Sequence, residues 1–579
     1  MRNEYYKIKY PKPESLREIL KESTKKYGDK ACFRYITAND CVASISYNEF
    51  YSVINNLGTA LSSIGLPGRR IAILSESRYE WIAAYITTII GGGVVIPLDK
   101  ELVKEEIANF VNLAEADIII YSAAYKNAVD EIKPGLKKLD CFINLDAESA
   151  KITKDNFTEY SELSFKSLLE LGKTEIENGN TDFINSTHDV NSMCAIIFTS
   201  GTTGTSKGVM LSEKNILACV HSASNMVNFS SKDEIVSVLP LHHTYETCCG
   251  ILTPILLGMT VCINNSLKYV LKNFKRFQPT GLVLVPLFVN TIYKKIIDEI
   301  RKKNKEKTFS TGIKITKAAR KVGLDLRKPI FKEINEAFGG RLEKIVCGGA
   351  RLDPDMVDRF DEIGINLSQG YGITECAPLV SVNPYNKIRK ESVGIPAIGC
   401  VIKIVGHDEN GVEYELPTGE IGEIHVTGPN VMLGYYKNPE ATAKVFDCSG
   451  NFITGDLGYV DSDGYLYITG REKNVIVLNN GKNVFPEEIE EYVSRISIVK
   501  EVVVIGKENS SDDIVITALI YPDYSALEDK TPEEIAELLK SEIATINKML
   551  PLFKQIRNIE IKKNEFQKTT TQKIMRHKI

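Results

Sequence analysis

From about Ser15 to Tyr121 the chain alternates stretches of helical apolar period with short apolar runs. Ser15 to Lys25 and Glu105 to Glu115 read as helices, and Arg70 to Leu74 and Asp117 to Tyr121 as strands. That alternation predicts a largely parallel sheet with covering helices. Trp81 to Leu98 is uncharged and just long enough to span a bilayer, but Gly91, Gly92, Gly93 and Pro97 break it into a helix and then a strand. Thr247 to Asn264, with Pro254 and Gly258, reads the same way, so no transmembrane anchor is expected. Lys151 to Asp189 is polar and predicts a loop-rich connection.

Further along, Ile235 to Leu239 and Gly281 to Val285 are predicted strands. The helix after the second carries Phe288, Val289, Ile292, Tyr293, Ile296, Ile297 and Ile300 on one face, a core stripe. Lys294 to Lys328 holds thirteen Lys or Arg against four acids, an excess of nine. Such a run is ordinarily a solvated helix face; the functional alternative is attraction to an anionic membrane surface. From Gly394 to Tyr467 short strands such as Glu423 to Thr427 and Tyr465 to Thr469, with an Asp461 to Gly464 turn, predict a small antiparallel β unit. The last hundred or so residues have a βαββα-like rhythm: Pro486 to Val493 helical, Glu501 to Ile505 and Ile514 to Tyr521 extended, then a helix from Pro532. Thr531 and Glu534 form a capping box before that helix, and the segment can fold separately. By composition alone, Lys568 to Arg576 is a frayed end.

A chain of 579 residues exceeds one core, so two or more domains are expected. The net charge of -4 leaves no excess of Lys and Arg to neutralise phosphates, which argues against a general nucleic-acid binder. Twelve scattered cysteines without a C-x-x-C pair, and an N-terminus lacking an apolar signal core, place the chain in the reducing cytoplasm.

The candidate chemistry centres on Cys194 to Ser212, C-A-I-I-F-T-S-G-T-T-G-T-S-K-G-V-M-L-S. Cys194 to Phe198 reads as a buried strand, and the small and hydroxylated residues from Thr199 to Thr205 must leave the sheet. Gly201, Gly204 and Gly208 permit close backbone approach, hydroxyls and N–H groups donate, and Lys207 adds charge: a polyphosphate grip, or in the plainer reading a flexible linker. It is not a Walker loop, because Ser206 and Gly208 flank Lys207. L-P-L-H-H-T-Y-E (Leu239 to Glu246) puts His242, His243 and Tyr245 beyond a strand end, where ligands of open α/β sheets collect, although a surface histidine pair has the same spacing. Gly348, Gly349 and Ala350, and N-L-S-Q-G-Y-G-I-T-E (Asn366 to Glu375), are strand ends opening into Gly-rich turns suited to a flat or phosphorylated ligand. Glu375 is either a ligand for a hard cation or a turn cap. Asp456, in T-G-D-L-G, could accept both hydroxyls of a ribose.

These stretches, followed by G-R-E-K-N-V-I-V-L-N-N-G-K-N-V-F-P-E-E-I-E and K-T-T-T-Q-K-I-M-R, occur in the order of the adenylate-forming (AMP-binding) enzymes, which the chain resembles over nearly its whole length. L-P-L-H-H-T-Y-E and the basic insertion between V-P-L-F and K-I-V-C-G-G-A make it most similar to long-chain fatty acid–CoA ligases. The resemblance implies an α/β fold: an N-terminal domain over 1–470 of mostly parallel αβα sheets with a β-barrel-like unit, and a small mobile α+β lid over 471–579. It implies two steps, attack of a medium- or long-chain fatty carboxylate on the α-phosphate of ATP, then displacement of AMP by the thiol of coenzyme A. Thr199, Ser200, Gly201, Thr202, Thr203, Gly204 and Lys207 would hold phosphates, and Mg²⁺ would sit on Glu375 with Thr199. Gly348, Gly349, Ala350, Gln369, Gly370, Tyr371 and Gly372 would line the adenine, Thr374 would lie near the α-phosphate, and Asp456 and Arg471 would hold the ribose. His242, His243 and Tyr245 would border the acyl chain. Lys573 would reach the forming acyl-phosphate bond, Lys473 would be the hinge of the lid, and Gly481 would border the coenzyme A tunnel. Thr205-Ser206, Asn474 and Gln572 depart from the family's usual residues at those places. Two further readings stand beside this one: an acyl-AMP ligase loading an acyl carrier protein, and a nucleotide-binding regulator without turnover.

Overall fold

A computed structural model describes residues 5–139, 141–148, 161–199, 206–479, 482–509, 513–568 and 574–579. The fold is mixed α/β and divides into two compact units, residues 1–401 with 427–444, and 402–426 with 445–579. By contacts the small β unit therefore groups with the C-terminal segment.

The first unit is built on two sheets. Among the described residues one sheet has the strand order Ile395–Pro396, Leu379–Val382, Asn366–Gly372, Lys344–Cys347, Gly281–Leu284, Glu234–Ser237, Thr260–Ile263, Ala31–Ile36, Val42–Ser46. The other runs Gly434–Tyr435, Lys207–Ser212, Met193–Thr199, Val94–Pro97, Arg70–Leu74, Ile118–Tyr121, Cys141–Asn144, Ser161–Ser164. Their central strands pair in parallel and antiparallel strands close the edges. The uncharged run resolves as expected into a helix, Tyr79–Ile90, and the strand Val94–Pro97. Every residue from Trp81 to Ile90 is buried, and a helix apolar all round belongs in a core. No helix among the described residues is long and apolar enough to cross a membrane.

Of the connection read as loop-rich, the described residues 161–189 are largely helical. Phe165–Glu177 forms a helix that buries Phe165, Leu168 and Gly172, an i, i+3, i+7 stripe diluted by polar neighbours. Gly172 permits its contact with the helix Tyr47–Ser63, because a Cβ there would lie 1.8 Å from the Asn56 carbonyl oxygen. The expected core stripe holds on the helix Pro286–Lys302, with Val289, Ile292, Ile296 and Ile300 buried.

The second unit contains a five-stranded sheet, including Gly422–Thr427, Phe452–Val460 and Leu466–Arg471, and a three-stranded sheet of Val499–Glu508, Ile514–Pro522 and Asn558–Ile561. Helices Pro486–Ser494 and Pro532–Met549 pack on the latter, the second opening with the expected capping box between Thr531 and Glu534. The strand Asn558–Ile561 escaped the sequence pattern, since N-I-E-I followed by two lysines gives no uninterrupted apolar run.

The tail is not frayed at its described residues. Lys568 and Ile574 pair as an antiparallel bridge, Lys568 Nζ contacts Glu501 and Glu565, and Arg576 donates to the Glu490 carboxylate and to the Val504 carbonyl. Charge pairing of Lys568 with Glu501 and of Arg576 with Glu490, partners distant in sequence and invisible to local composition, fixes both flanks of 569–573.

Candidate active site

The segment read as a polyphosphate grip lies between two paired strands. Met193–Thr199 and Lys207–Ser212 pair antiparallel with Thr199 opposite Lys207, so the chain leaves the sheet where the hydroxyl run begins. Ser200, Gly201, Thr202, Thr203 and Gly204 lie outside the described residues. Phe198 stacks on Phe110 at 4.2 Å, and a Cβ on Gly208 would come within 2.9 Å of Ile196, so the glycine lets the return strand lie close. Tyr435 pairs with Val209 on the outer edge of that strand, and Lys207 Nζ sits 4.7 Å from the Tyr435 ring centroid.

The same tyrosine reaches Glu375. Its phenol donates to Glu375 Oε1 at 2.9 Å, while the Met432 N–H donates to the Glu375 carbonyl at 2.8 Å. Burial and the adjacent Glu375 carboxylate push the Tyr435 phenol up, so it remains a donor at neutral pH. Oε2 of Glu375 has no partner among the described residues. That carboxylate oxygen and the Thr199 hydroxyl, whose contact among the described residues is to the Lys207 carbonyl at 3.5 Å, are hard oxygen donors that fit Mg²⁺. Thr374 opens the short turn Thr374–Cys376 that carries Glu375 and packs against the Lys207–Ser212 strand.

Gly348, Gly349 and Ala350 follow the strand Lys344–Cys347, and Gln369 to Gly372 end the adjacent strand Asn366–Gly372. Gly349 has φ +84°, which favours glycine, and a Cβ on Gly372 would lie 2.3 Å from the Pro378 carbonyl. Beneath these glycines is an apolar cavity of ≈ 70 Å³. Gly348, Gly349 and Gly370 to Gly372 line one part, Val283 and Val346 the side, and Phe229 another part. Phe229 lies against Gly281 and under Lys344 Nζ, at the first residues of the strands whose last residues precede Gly348. The cavity thus follows those strands for three residue rises, about 10 Å. Tyr245 also lines it, its hydroxyl donating to the Val346 carbonyl at 3.2 Å.

His242 and His243 lie outside that lining. Their rings are 4.0 Å apart, and His242 Nε2 is 3.4 Å from Asp99 Oδ2, an approach too poorly aligned for a hydrogen bond. Burial pushes the His242 imidazole down to about 3, so it is neutral near pH 7. Asp99 follows a strand of one sheet and His242 a strand of the other, so the pair marks where the carboxyl ends of the two sheets converge.

In the second unit Asp456 and Arg471 face each other across paired strands, with Arg471 Nε 2.9 Å from Asp456 Oδ1. Asp456 is buried while Arg471 is exposed, so the carboxylate is oriented by its partner. Lys473 lies in the exposed turn Glu472–Asn474, and the Asn474 amide donates to Glu487 Oε1 at 2.6 Å. Gly481 and Lys573 lie outside the described residues. Sequence reasoning missed Tyr435 and Phe229: G-Y-Y-K is a two-residue strand too short to show a period, and Phe229 sits in a loop after a helix.

Residues 20–436 match the family model described as AMP-binding enzyme, and residues 473–579 that of the AMP-binding enzyme C-terminal domain. A chloroplastic long-chain-fatty-acid–[acyl-carrier-protein] ligase of Arabidopsis thaliana is 28% identical over 90% of this chain and 78% of its own. A fatty acyl-CoA synthetase of Dictyostelium discoideum is 29% identical over 91% of this chain and 80% of its own. Among solved structures, an anthranilate CoA ligase in complex with anthranoyl-AMP has a similar fold, with a TM-score of 0.77 at 20% identity, covering 98% of this chain and 97% of that one.

Proposed function

Because the chain belongs to the AMP-binding enzyme family, we propose that it activates a medium- or long-chain fatty acid with ATP and passes the acyl group to coenzyme A. The observation that carries this reading is the narrow apolar cavity opening beneath Gly348, Gly349 and Gly370 to Gly372, which joins an aliphatic chain's environment to glycine turns suited to a nucleotide. A carboxylate oxygen attacks the α-phosphorus and pyrophosphate leaves; the thiol sulfur then attacks the acyl carbonyl and AMP leaves with the electron pair of the broken C–O bond. The first step brings anions together, so it requires cations and donors focused on the phosphates. Lys207 and the residues 199–204 supply them, with Thr374 at the α-phosphate. Mg²⁺ held by Glu375 and Thr199 neutralises phosphate charge when bound. Gly348 to Ala350 and Gln369 to Gly372 line the adenine, and Asp456, oriented by Arg471, accepts the ribose hydroxyls.

Lys573 acts as a point charge on the forming acyl-phosphate bond, in a lid over 471–579 that turns about Lys473 between the two steps. Gly481 then borders the path of the thiol. The test is Lys573→Ala assayed on each half-reaction. Acid-dependent ATP–pyrophosphate exchange is expected to collapse, while preformed acyl-AMP and coenzyme A still give thioester; equal loss of both would remove Lys573 from this role. A second acceptor is favoured by the Arabidopsis relative, whose name specifies acyl carrier protein. Offering coenzyme A and acyl carrier protein side by side separates the two, and acid-dependent pyrophosphate release excludes a silent regulator.

A further inference from the structure

We propose that the outer face of the helix Glu306–Lys321 and the turn after it form a docking surface for an anionic lipid bilayer. From Lys305 onward the cations of this basic segment divide into two sets. Lys305, Lys317, Arg320, Arg327 and Lys328 turn inward to acids of neighbouring elements, with Lys317 2.6 Å from Glu362 and Arg327 2.6 Å from Asp361. Those charges are neutralised within the protein. Lys307, Lys314 and Lys321 have no carboxylate within 4.0 Å among the described residues. Their seven-residue spacing puts them on one line of the helix, opposite the buried Gly312 and Thr316.

Beside that line the surface is apolar. Ile315 and Val322, also seven apart, are 48% and 74% exposed, and Leu324 and Leu326 in the turn after the helix are 58% and 37% exposed. A globular surface in water has no use for large aliphatic groups exposed this far and this densely. A lysine row flanking exposed aliphatics is the pattern of a helix lying in a membrane interface, apolar groups among acyl chains and ammonium groups at anionic headgroups. With no described helix able to cross a bilayer, the contact is peripheral. This surface stands on its own residues and does not rest on the proposed reaction.

Co-sedimentation of the full chain with vesicles of phosphatidylglycerol and phosphatidylcholine, and of phosphatidylcholine alone, tests it. Binding is expected to the anionic vesicles and to weaken in salt, as the Debye length shrinks. K307Q/K314Q/K321Q is expected to lower partitioning by about fivefold per lysine, roughly 100-fold in all. V322S/L324S is expected to remove the binding that survives high salt. Both variants should melt like the wild type, which shows that folding is intact. Equal binding to uncharged vesicles, or wild-type partitioning of the triple variant, would overturn the proposal; so would absence of vesicle binding, which would leave the face to a protein partner.

Discussion

The phenol of Tyr435 donates to Oε1 of Glu375 at 2.9 Å while its ring lies 4.7 Å from Lys207 Nζ, so one side chain links the strand pair around 199–207 to the Glu375 carboxylate. The link is possible because Gly434–Tyr435 pairs on the edge of the Lys207–Ser212 strand. Tyr435→Phe keeps ring and strand but removes a hydrogen bond to a charged group, a change of about 1.5–3 kcal/mol. ATP–pyrophosphate exchange is therefore expected to fall about 10- to 100-fold in kcat/KM with little change in melting temperature. Glu375→Gln should fall further and raise the Mg²⁺ concentration for half-maximal rate more than Tyr435→Phe does.

Phe229 and Gly348 lie at opposite ends of the same strands, about 10 Å apart along the cavity. Phe229→Ala extends the cavity at the far end, where Gly281 leaves the ring's place open. Each further methylene buried there contributes about 0.8 kcal/mol, close to fourfold in kcat/KM per carbon. A panel of saturated acids assayed for AMP formation should shift toward longer chains. Val283→Phe, midway along, should shift it toward shorter ones; an unchanged profile in both would place the acyl chain elsewhere.

Much of this architecture was legible because strong periods and strand-end glycines are local signals. Arg70 to Leu74 is a strand at the residues the pattern gives, and the Thr531–Glu534 box opens its helix. What escaped depends on partners distant in sequence. The helix Phe165–Glu177 hides its stripe because one of its buried positions is Gly172, chosen for contact with the Asn56 backbone rather than for hydrophobicity. Tyr435 reads as one aromatic among 26 tyrosines until the fold sets it between Lys207 and Glu375. His242, His243 and Tyr245 all fall beyond a strand end, as read, and of the three Tyr245 lines the cavity.

Glu490 and Arg576 fasten the chain just past 569–573. Glu490 accepts from the Val504 N–H at 2.6 Å and from Arg576, and its burial pushes the carboxyl up, opposed by the guanidinium. Arg576→Ala leaves this half-buried acid without its cation and loosens one flank of Lys573. Adenylation is expected to drop about 10- to 100-fold, the scale of a small misplacement at a reacting centre, while thioester formation from preformed acyl-AMP stays near wild type. Arg576→Lys should recover only part, since an ammonium cannot reach the carboxylate and the Val504 carbonyl as a planar fork does.

Glu246 sets a pH dependence of stability. It is buried, accepts from the Ser237 hydroxyl on one oxygen and has no hydrogen bond on the other among the described residues; burial pushes its carboxyl up to about 8. In the unfolded chain the same group titrates near its ordinary value of 4.5. Below that value both states are protonated and the contribution is fully present. Between 4.5 and about 8 the folded chain holds a proton that the unfolded chain has released, so stability declines as pH rises. The loss approaches about 1.4 kcal/mol per pH unit inside the window and stops above it. Glu246→Gln has no proton to lose, so its melting temperature should decline less than the wild type's from pH 5 to pH 8, with the variant gaining on the wild type at the alkaline end. Parallel curves for the two proteins would mean that the carboxyl titrates alike in both states.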